Sequence, residues 1–119
     1  MDKLNNNERF KVASTLPELN EKLTINIETE NPKKVYWHIK FNLELKKNSI
    51  NEESMTVVDM EGNVLKTDCI YDEKRSLIIV SPLENYKKDK YYILSIKANI
   101  VSKSGRKLKS PINIMFKLK

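Results

Sequence analysis

The sequence has almost none of the residues on which metal and nucleophilic chemistry depend. Its 119 residues include one cysteine, Cys69, and one histidine, His38. A lone cysteine excludes an internal disulfide, a Cys-x-x-Cys redox pair and a zinc site built from thiolates. No spacing of acids indicates the two carboxylates that a zinc site on Cys69 and His38 would still need, and a Cys/His nucleophilic pair would have to unite two separate strands. We therefore predict no catalytic, cofactor-binding or metal-binding residues, with Cys69 half-buried.

Glycine is equally scarce, and no apolar stretch is long. The two glycines, Gly62 and Gly105, are too far apart for a glycine-rich phosphate loop. Apolar runs such as residues 77–80 and 91–94 are far shorter than the roughly 20 residues of a membrane helix. Residues 1–9 lack the apolar segment of a secretory signal. The compartment stays open: we expect a cytoplasmic protein if Met1 is the native start, and a cell-surface or extracellular one if the sequence is an excised domain.

The length and composition indicate one folded domain. Hydrophobic residues make up 39% of the chain and charged residues 32%, which is enough apolar material for one core and more charge than an average domain carries. Residues 1–9 are polar and include three consecutive asparagines. We predict that they form a frayed lead-in and that residues 10–119 form a single domain.

Apolar residues alternate with polar ones in several short runs, which is the pattern of strands with one buried face. The clearest run is residues 35–41, in which every second residue is apolar and His38 falls on the polar side. The residues predicted to face the core are Val35, Trp37, Ile39 and Phe41; Ile112, Ile114, Phe116 and Leu118; Tyr92, Leu94 and Ile96; Leu77 and Ile79; Met55 and Val57; and Leu23, Ile25 and Ile27. Helical periodicity is almost absent, so we predict an all-β fold.

Turn residues separate these runs at short intervals. Residues 59–63 provide Gly62 where a hairpin requires positive φ, residues 72–76 are polar, and residues 104–106 contain Gly105. The oxygen-bearing side chains of Asp59, Glu61 and Asn63 also resemble part of a calcium loop, but the distant bidentate acid of such a loop is missing. A hairpin turn is the favoured interpretation.

Motifs along the chain follow the order of a known family. They are Val-x-Ser-x-x-Pro at residues 12–17, Phe41-Asn42, the Ser/Thr-containing residues 49–57, Asp-x-x-Gly-Asn at residues 59–63, Ile-x-x-Pro at residues 79–82, Tyr-x-Leu-x-Ile at residues 92–96, Gly-x-x-Leu at residues 105–108, and Phe116. In order and spacing they resemble SbsA-type bacterial immunoglobulin-like domains. Residues 23–34 are extra material between the first two strands of that pattern, either an added edge strand or a protruding loop.

The resemblance implies an immunoglobulin-like β-sandwich of about seven strands in two antiparallel sheets. It implies that Trp37 faces Phe116 in the middle of the core and that Tyr92 is the corner tyrosine, whose hydroxyl bonds to nearby backbone. Domains of this family are spacers, stalks or adhesion modules of bacterial surface proteins and share no catalytic residues. The resemblance therefore implies a structural role and assigns no site.

Positive charge is concentrated in the C-terminal part of the chain. Residues 86–119 contain nine lysines, one arginine and a single acid, while the whole chain carries a net charge of +6. If the protein has an anion-binding surface, we expect it at Lys103, Arg106, Lys107 and Lys109, because the turn at Gly105 would project them from one end of the fold. Alternatively, these lysines only keep the strands soluble and protect an edge from aggregation.

Two hypotheses on function remain. The first is a non-enzymatic spacer or adhesion module of a surface or secreted protein, and the second is a small stand-alone ligand-binding protein. A hydrolase is a third hypothesis that the sequence does not favour. We expect a monomer without membrane insertion, whose partners are other domains of a surface protein or a cell-wall polyanion. Nucleic acid is not favoured, because the basic segment lacks interleaved aromatic platforms and a recognition helix.

Overall fold

The structure, a computed structural model, describes residues 10–17, 24–27, 35–51 and 53–118. The strands found in these residues are β1 (Val12–Leu16), β2 (Thr24–Ile27), β3 (Trp37–Phe41), β4 (Met55–Asp59), β5 (Val64–Leu65), β6 (Thr67–Asp72), β7 (Leu77–Pro82), β8 (Tyr91–Ile96) and β9 (Ile112–Leu118). The described part of the chain has no α-helix and one 3-10 turn, Lys47–Ser49. It contains no helix of a length and hydropathy suited to crossing a membrane.

The strands form two sheets that pack as a sandwich. The four-stranded sheet has the order β1-β3-β7-β6, and the five-stranded sheet has the order β2-β9-β8-β4-β5. Neighbouring strands are antiparallel except β2, which runs parallel to β9. The predicted immunoglobulin-like sandwich is confirmed. The described residues form more strands than the expected seven: β2 lies in the extra segment, and β5 is a very short additional strand. That segment therefore contributes an edge strand. Residues 1–9, predicted to be a frayed lead-in, as well as Leu23 and the side chain of Ile25, lie outside what the structure describes.

Alternation in the sequence places most of the core correctly. Trp37, Ile39, Met55, Val57, Leu94, Ile96, Ile114, Phe116 and Leu118 are fully buried. The Trp37 and Phe116 rings, from opposite sheets, meet edge to face with centroids 5.2 Å apart. Cys69 is half-buried and packs against this core. These strands therefore have the predicted inner faces.

The prediction for β7 was confirmed for Leu77, which is 9% exposed, but was wrong for Ile79. The fully buried residues of this strand are Ile78 and Val80, whereas Ile79 points to the outer face and is only half-buried. Its neighbours across the sheet are His38 and Ile70, which also face outward. All four residues 77–80 are apolar, so alternation could not show which pair faces the core.

The β4–β5 turn is built around the carboxylate of Asp59, which is 6% exposed. Its Oδ1 accepts hydrogen bonds from the backbone N–H groups of Glu61 and Asn63, both at 2.9 Å. Its Oδ2 accepts from Asn63 Nδ2 at 3.1 Å and lies 3.4 Å from Lys90 Nζ. Gly62 has φ +88°, as this turn requires. The hairpin turn favoured from the sequence is thus confirmed, and the Asp59 carboxylate stabilises it.

Tyr92 occupies the corner position that the resemblance implies. Its hydroxyl accepts a 2.7 Å hydrogen bond from the backbone N–H of Lys87. Its ring stacks on Phe116 at 5.6 Å and meets Tyr86 edge to face at 5.1 Å. Tyr92 therefore links the corner before β8 to the aromatic core through its hydroxyl hydrogen bond and its ring contacts.

Replacing Trp37 by alanine is predicted to destabilise the domain by about 3 to 5 kcal/mol, the usual cost of emptying a large buried aromatic site. His38→Ala, at the next position of the same strand but on its outer face, should cost less than about 1 kcal/mol. Chemical denaturation of both variants checks the difference. A larger loss in His38→Ala would mean that the β3 register is wrong by one residue.

Asp59 is also predicted to make stability depend on pH in the acid range. Hydrogen bonds to the ionised carboxylate, foremost that from the Asn63 backbone, outweigh desolvation and lower the pKa of Asp59 from 3.8 to about 2. A lowered folded-state pKa stabilises the protein above 3.8, and this contribution is lost as the pH falls toward 2. Urea unfolding over that range should show a steeper loss in wild type than in Asp59→Asn. Equal slopes would contradict the assignment.

Candidate anion-binding surface

The four basic residues predicted from the sequence all lie in the loop of residues 97–111, between β8 and β9. This loop pairs with the segment that follows β3, so three short extended stretches lie side by side: residues 44–46, 101–103 and 106–107. The Lys46 N–H donates to the Val101 carbonyl at 2.8 Å, and the Lys103 N–H donates to the Glu44 carbonyl at 2.9 Å. The Ser102 N–H donates to the Arg106 carbonyl at 2.8 Å. The basic residues therefore lie on a defined scaffold.

Buried anchors hold this scaffold in place. Leu45 and Ile100 are fully buried, and Leu108 nearly so. The Leu45 N–H donates to the Tyr71 hydroxyl at 3.0 Å, and the Val101 N–H donates to Ser49 Oγ at 3.1 Å. Both the apolar contacts and the hydrogen bonds tie the loop to the end of the sandwich, so its surface side chains start from fixed positions.

The tight turn depends on Gly105, which has φ +93°. Its N–H donates to the Ser102 carbonyl at 2.9 Å, and the Arg106 N–H donates to Ser102 Oγ at 3.0 Å. Ser102 is 1% exposed, and its hydroxyl also lies 2.9 Å from Ser104 Oγ. The predicted turn is confirmed, and a buried serine holds it from inside.

Pairing separates the predicted basic residues between two faces of the scaffold. Leu45 is opposite Ser102, and Val101 is opposite Lys107. Because residues opposite each other share a face, Lys46, Val101 and Lys107 form one outward row. Lys46 and Lys107 are exposed, while Arg106 is half-buried. The outward face therefore includes Lys107 but not Arg106.

Not all of the positive charge at this end is available to a ligand. Lys103 Nζ lies 3.4 Å from Glu44 Oε2, and Lys47 Nζ lies 3.3 Å from Glu73 Oε1. Lys46, Lys97, Lys107 and Lys109 are exposed. We name Lys46, Lys107 and Lys109 the basic surface; Lys103 lies beside it but is paired with Glu44. Sequence analysis missed Lys46, because its pairing with Val101 joins segments more than 50 positions apart and no local pattern signals it.

The C-terminal positive charge does not form one continuous patch. Lys87, Lys88 and Lys90 precede β8, whereas the basic surface follows it, so the two groups lie at opposite ends of the sandwich. Lys90 contacts Asp59 and also Glu61, at 3.5 Å. Although desolvation lowers the pKa of Lys90, its hydrogen bond and charge interaction with Asp59 raise it overall. Lys90 therefore belongs to the β4–β5 turn.

A shallow cleft of about 310 Å³ lies where the chain crosses from one sheet to the other after β5. It is lined by Thr56, Val64, Leu65, Lys66, Thr67 and Leu83. The volume is at the lower limit of small-molecule sites. Lys66 is the one ionisable group of this lining, so the cleft contains no acid–base pair.

The described residues offer no arrangement for metal binding or for Cys/His chemistry. No three His, Cys, Asp or Glu side chains among them converge so as to hold a metal ion. His38 faces outward on β3, while Cys69 packs against the core, so the two side chains are on opposite faces of the same sheet. They cannot act as a nucleophile and its base.

The fold is similar to two kinds of solved protein structure. The N-terminal part of the bacterial S-layer protein SbsC aligns over 94% of this chain with a TM-score of 0.65 at 10% identity, and the chain spans 24% of that fragment. PcoC, a methionine-rich copper resistance protein from Escherichia coli, aligns over 94% of this chain and 100% of its own, with a TM-score of 0.67 at 11% identity. CopC from Methylosinus trichosporium OB3b aligns over 93% and 94%, with a TM-score of 0.66 at 9% identity.

Such low identities show a shared fold and no more. The curated protein sequences contain no significant match to this chain. A family match is more informative, because residues 6–117 fit the family described as bacterial Ig-like domain. Since this match takes in nearly the whole sequence, the chain belongs to the bacterial Ig-like domain family.

Proposed function

We propose that the chain is a non-catalytic structural module that serves as a spacer or adhesion domain within a bacterial surface or secreted protein, in the SbsA-type branch of its family. The observation that carries this proposal is the course of the chain through the sandwich. Val12 pairs with Phe41 at the end where β3 stops, and the Phe10 ring stacks on Phe41 at 5.4 Å. The chain therefore enters at the end that also carries the basic surface.

The chain leaves at the opposite end. β9 runs away from the basic surface, and the carbonyl of Leu118 accepts a 2.6 Å hydrogen bond from the Asp89 N–H, at the corner before β8. Entry at one end and exit at the other allow such modules to follow one another lengthwise in a chain. The S-layer fragment, of which a domain of this fold forms about a quarter, is consistent with that use.

Tension along such a chain would pull the first and last strands lengthwise. β1 is hydrogen-bonded to β3, and β9 lies between β2 and β8. A force applied at the two ends then acts parallel to these strands, so that the hydrogen bonds of a ladder share the load instead of opening one by one. This geometry suits a spacer that must remain folded under tension.

Single-molecule pulling is predicted to give a higher unfolding force through the two chain ends than through the N-terminus and residue 104, since Phe10, where the described chain begins, and residue 104 both lie at the basic end. Ser104→Cys in a Cys69→Ala background provides the second attachment, and the same background pulled through its ends is the matched control. Forced unfolding measures the unfolding barrier, which sharing of the load should raise. An equal or lower force through the ends would contradict a role under tension.

A second candidate function is a stand-alone protein that binds an anionic polymer. The specific observation in its favour is the row of Lys46 and Lys107, exposed on one face of a buried, hydrogen-bonded scaffold. The copper resistance proteins of similar fold consist almost entirely of this one domain. We propose no copper role, because no three His, Cys, Asp or Glu side chains converge among the described residues.

Teichoic acid is predicted to bind the wild type at low salt and to dissociate steeply as salt is added, because charge neutralisation and counterion release drive such binding. Changing Lys103, Arg106, Lys107 and Lys109 to glutamine should abolish binding with little change in thermal stability, and Lys46→Gln alone should weaken it. Lys87→Gln with Lys88→Gln, at the opposite end, is the control and should have less effect. Absence of binding to both teichoic acid and single-stranded DNA would leave these lysines a solubilising role.

A further inference from the structure

An apolar row crosses the outer face of the four-stranded sheet. Leu16 of β1 is opposite His38 of β3, His38 is opposite Ile79 of β7, and Ile79 is opposite Ile70 of β6. Leu16 is 58% exposed and Ile70 is 50% exposed, with His38 and Ile79 half-buried between them. The outer face of an antiparallel sheet in water is ordinarily polar. Apolar residues on three of the four strands differ from this ordinary pattern, and such exposed apolar surface indicates a binding partner.

Charges on this outer face are separated by sign. Lys40 lies on β3, whereas Asp68 and Asp72 lie on β6, and β7 between them contributes Leu77 and Ile79. Lys40 and Asp72 both lie level with Leu77, their shared neighbour on β7. The face thus has a basic side, an apolar middle in which Leu77 is nearly buried, and a side with two acids, of which Asp72 also pairs with Arg75 at 3.0 Å.

We propose that this face binds a second copy of the chain about a two-fold axis that runs along β7. Rotation about such an axis reverses the order of the strands across the sheet. It leaves each row of paired residues at the same height along the strands in both copies. It places Ile79 over its own counterpart, and Lys40 over Asp72 of the second copy, twice in each dimer. The sheets would then be about 10 Å apart, the usual distance between packed sheets. The two sides of the face are complementary in charge only in this reversed order.

The five-stranded sheet provides an internal comparison. Its outer face also has an apolar row, formed by Met115, Ile93, Val58 and Val64 on four successive strands. The charge on the described strands of that face is Lys117, whose ammonium lies 5.4 Å from the centre of the Tyr91 ring, with no acid beside it. A two-fold contact there would gain no pairing of opposite charges. Both outer faces expose apolar residues, so this property does not distinguish them as sites of self-association. The presence of opposite charges favours the four-stranded sheet.

The size of the face sets the expected strength. About this axis three strands of each copy overlap, because β1 with Leu16 has no counterpart beyond β6. At about 4.8 Å between strands and five residues at about 3.3 Å, they cover on the order of 240 Å² on each copy. Stable interfaces cover about 800 Å² on each partner. The contact should therefore be weak and rapidly reversible at high protein concentration. The sequence led us to expect a monomer, and the outward orientation of Ile79, which alternation had assigned to the core, is the reason for this proposal.

Sedimentation velocity of the full chain over a wide concentration range tests the proposal. We expect the weight-average sedimentation coefficient of wild type to rise with concentration, and Ile79→Lys to weaken the association at least tenfold. Ile93→Lys is the matched control, because Ile93 is also half-buried at the centre of an outer face, but on the other sheet. Circular dichroism and thermal unfolding establish that both variants fold. No association of wild type at millimolar concentration, or equal loss in both variants, would overturn the proposal.

An exchange of charges tests the two-fold arrangement itself. Lys40→Asp should weaken association, because it places two acids together, and adding Asp72→Lys in the same chain should restore it to within a few-fold of wild type. Asp72 also pairs with Arg75 at 3.0 Å, so thermal unfolding must confirm that the double variant is folded. If it is unfolded, Lys40→Gln is the comparison instead, and it should weaken association less than Lys40→Asp, because it brings no second acid to Asp72. Failure of a folded double variant to recover association would refute the axis along β7.

Discussion

The edge-to-face contact between Trp37 and Phe116 is the interaction on which the rest of the structure depends. It joins an inner strand of one sheet, β3, to an inner strand of the other, β9, with ring centroids 5.2 Å apart. Tyr86 and Tyr92 extend it, since both rings also contact Phe116. Because Tyr92 holds the corner before β8 through Lys87, the loop at that end takes its position from this aromatic cluster. The opposite end is anchored by aliphatic residues, Leu45 and Ile100, and by the hydroxyl of Tyr71.

Sequence reasoning predicted the parts of the fold that local patterns encode. Trp37 and Phe116 were assigned inward because large apolar residues recur at every second position around them, and Gly62 and Gly105 marked turns because only glycine adopts such φ values easily. The phase of β7 was not predictable, since four consecutive apolar residues satisfy either orientation. The pairing of Lys46 with Val101 was not predictable either, because it depends on tertiary packing between segments distant in the chain. At the candidate surface, the sequence therefore predicted the turn and Lys107 but not the second lysine of the row.

The surfaces of the domain divide into regions of different chemistry. One end has exposed lysines on a rigid scaffold, while at the other end Lys90 is occupied by Asp59 and Glu61. The outer face of the four-stranded sheet combines apolar residues with charges of both signs. These regions do not share residues, so polymer binding at the end, self-association at the face and a lengthwise spacer role are compatible with one another. Polymer binding depends on net positive charge, self-association on the arrangement of opposite charges across the face, and the spacer role on the direction in which the chain enters and leaves.

The order in which the chain visits the sheets has a consequence for how the protein is made. β1 belongs to the four-stranded sheet, β2 to the five-stranded sheet, β3 to the first again and β4 to the second, so neither sheet is built from one continuous stretch. β9, the last strand, adds Ile114, Phe116 and Leu118 to the core and lies inside its sheet. A growing chain on the ribosome lacks one side of the Trp37 site until β9 emerges. Folding is therefore expected to follow synthesis of nearly the whole domain, with long-range contacts setting its rate.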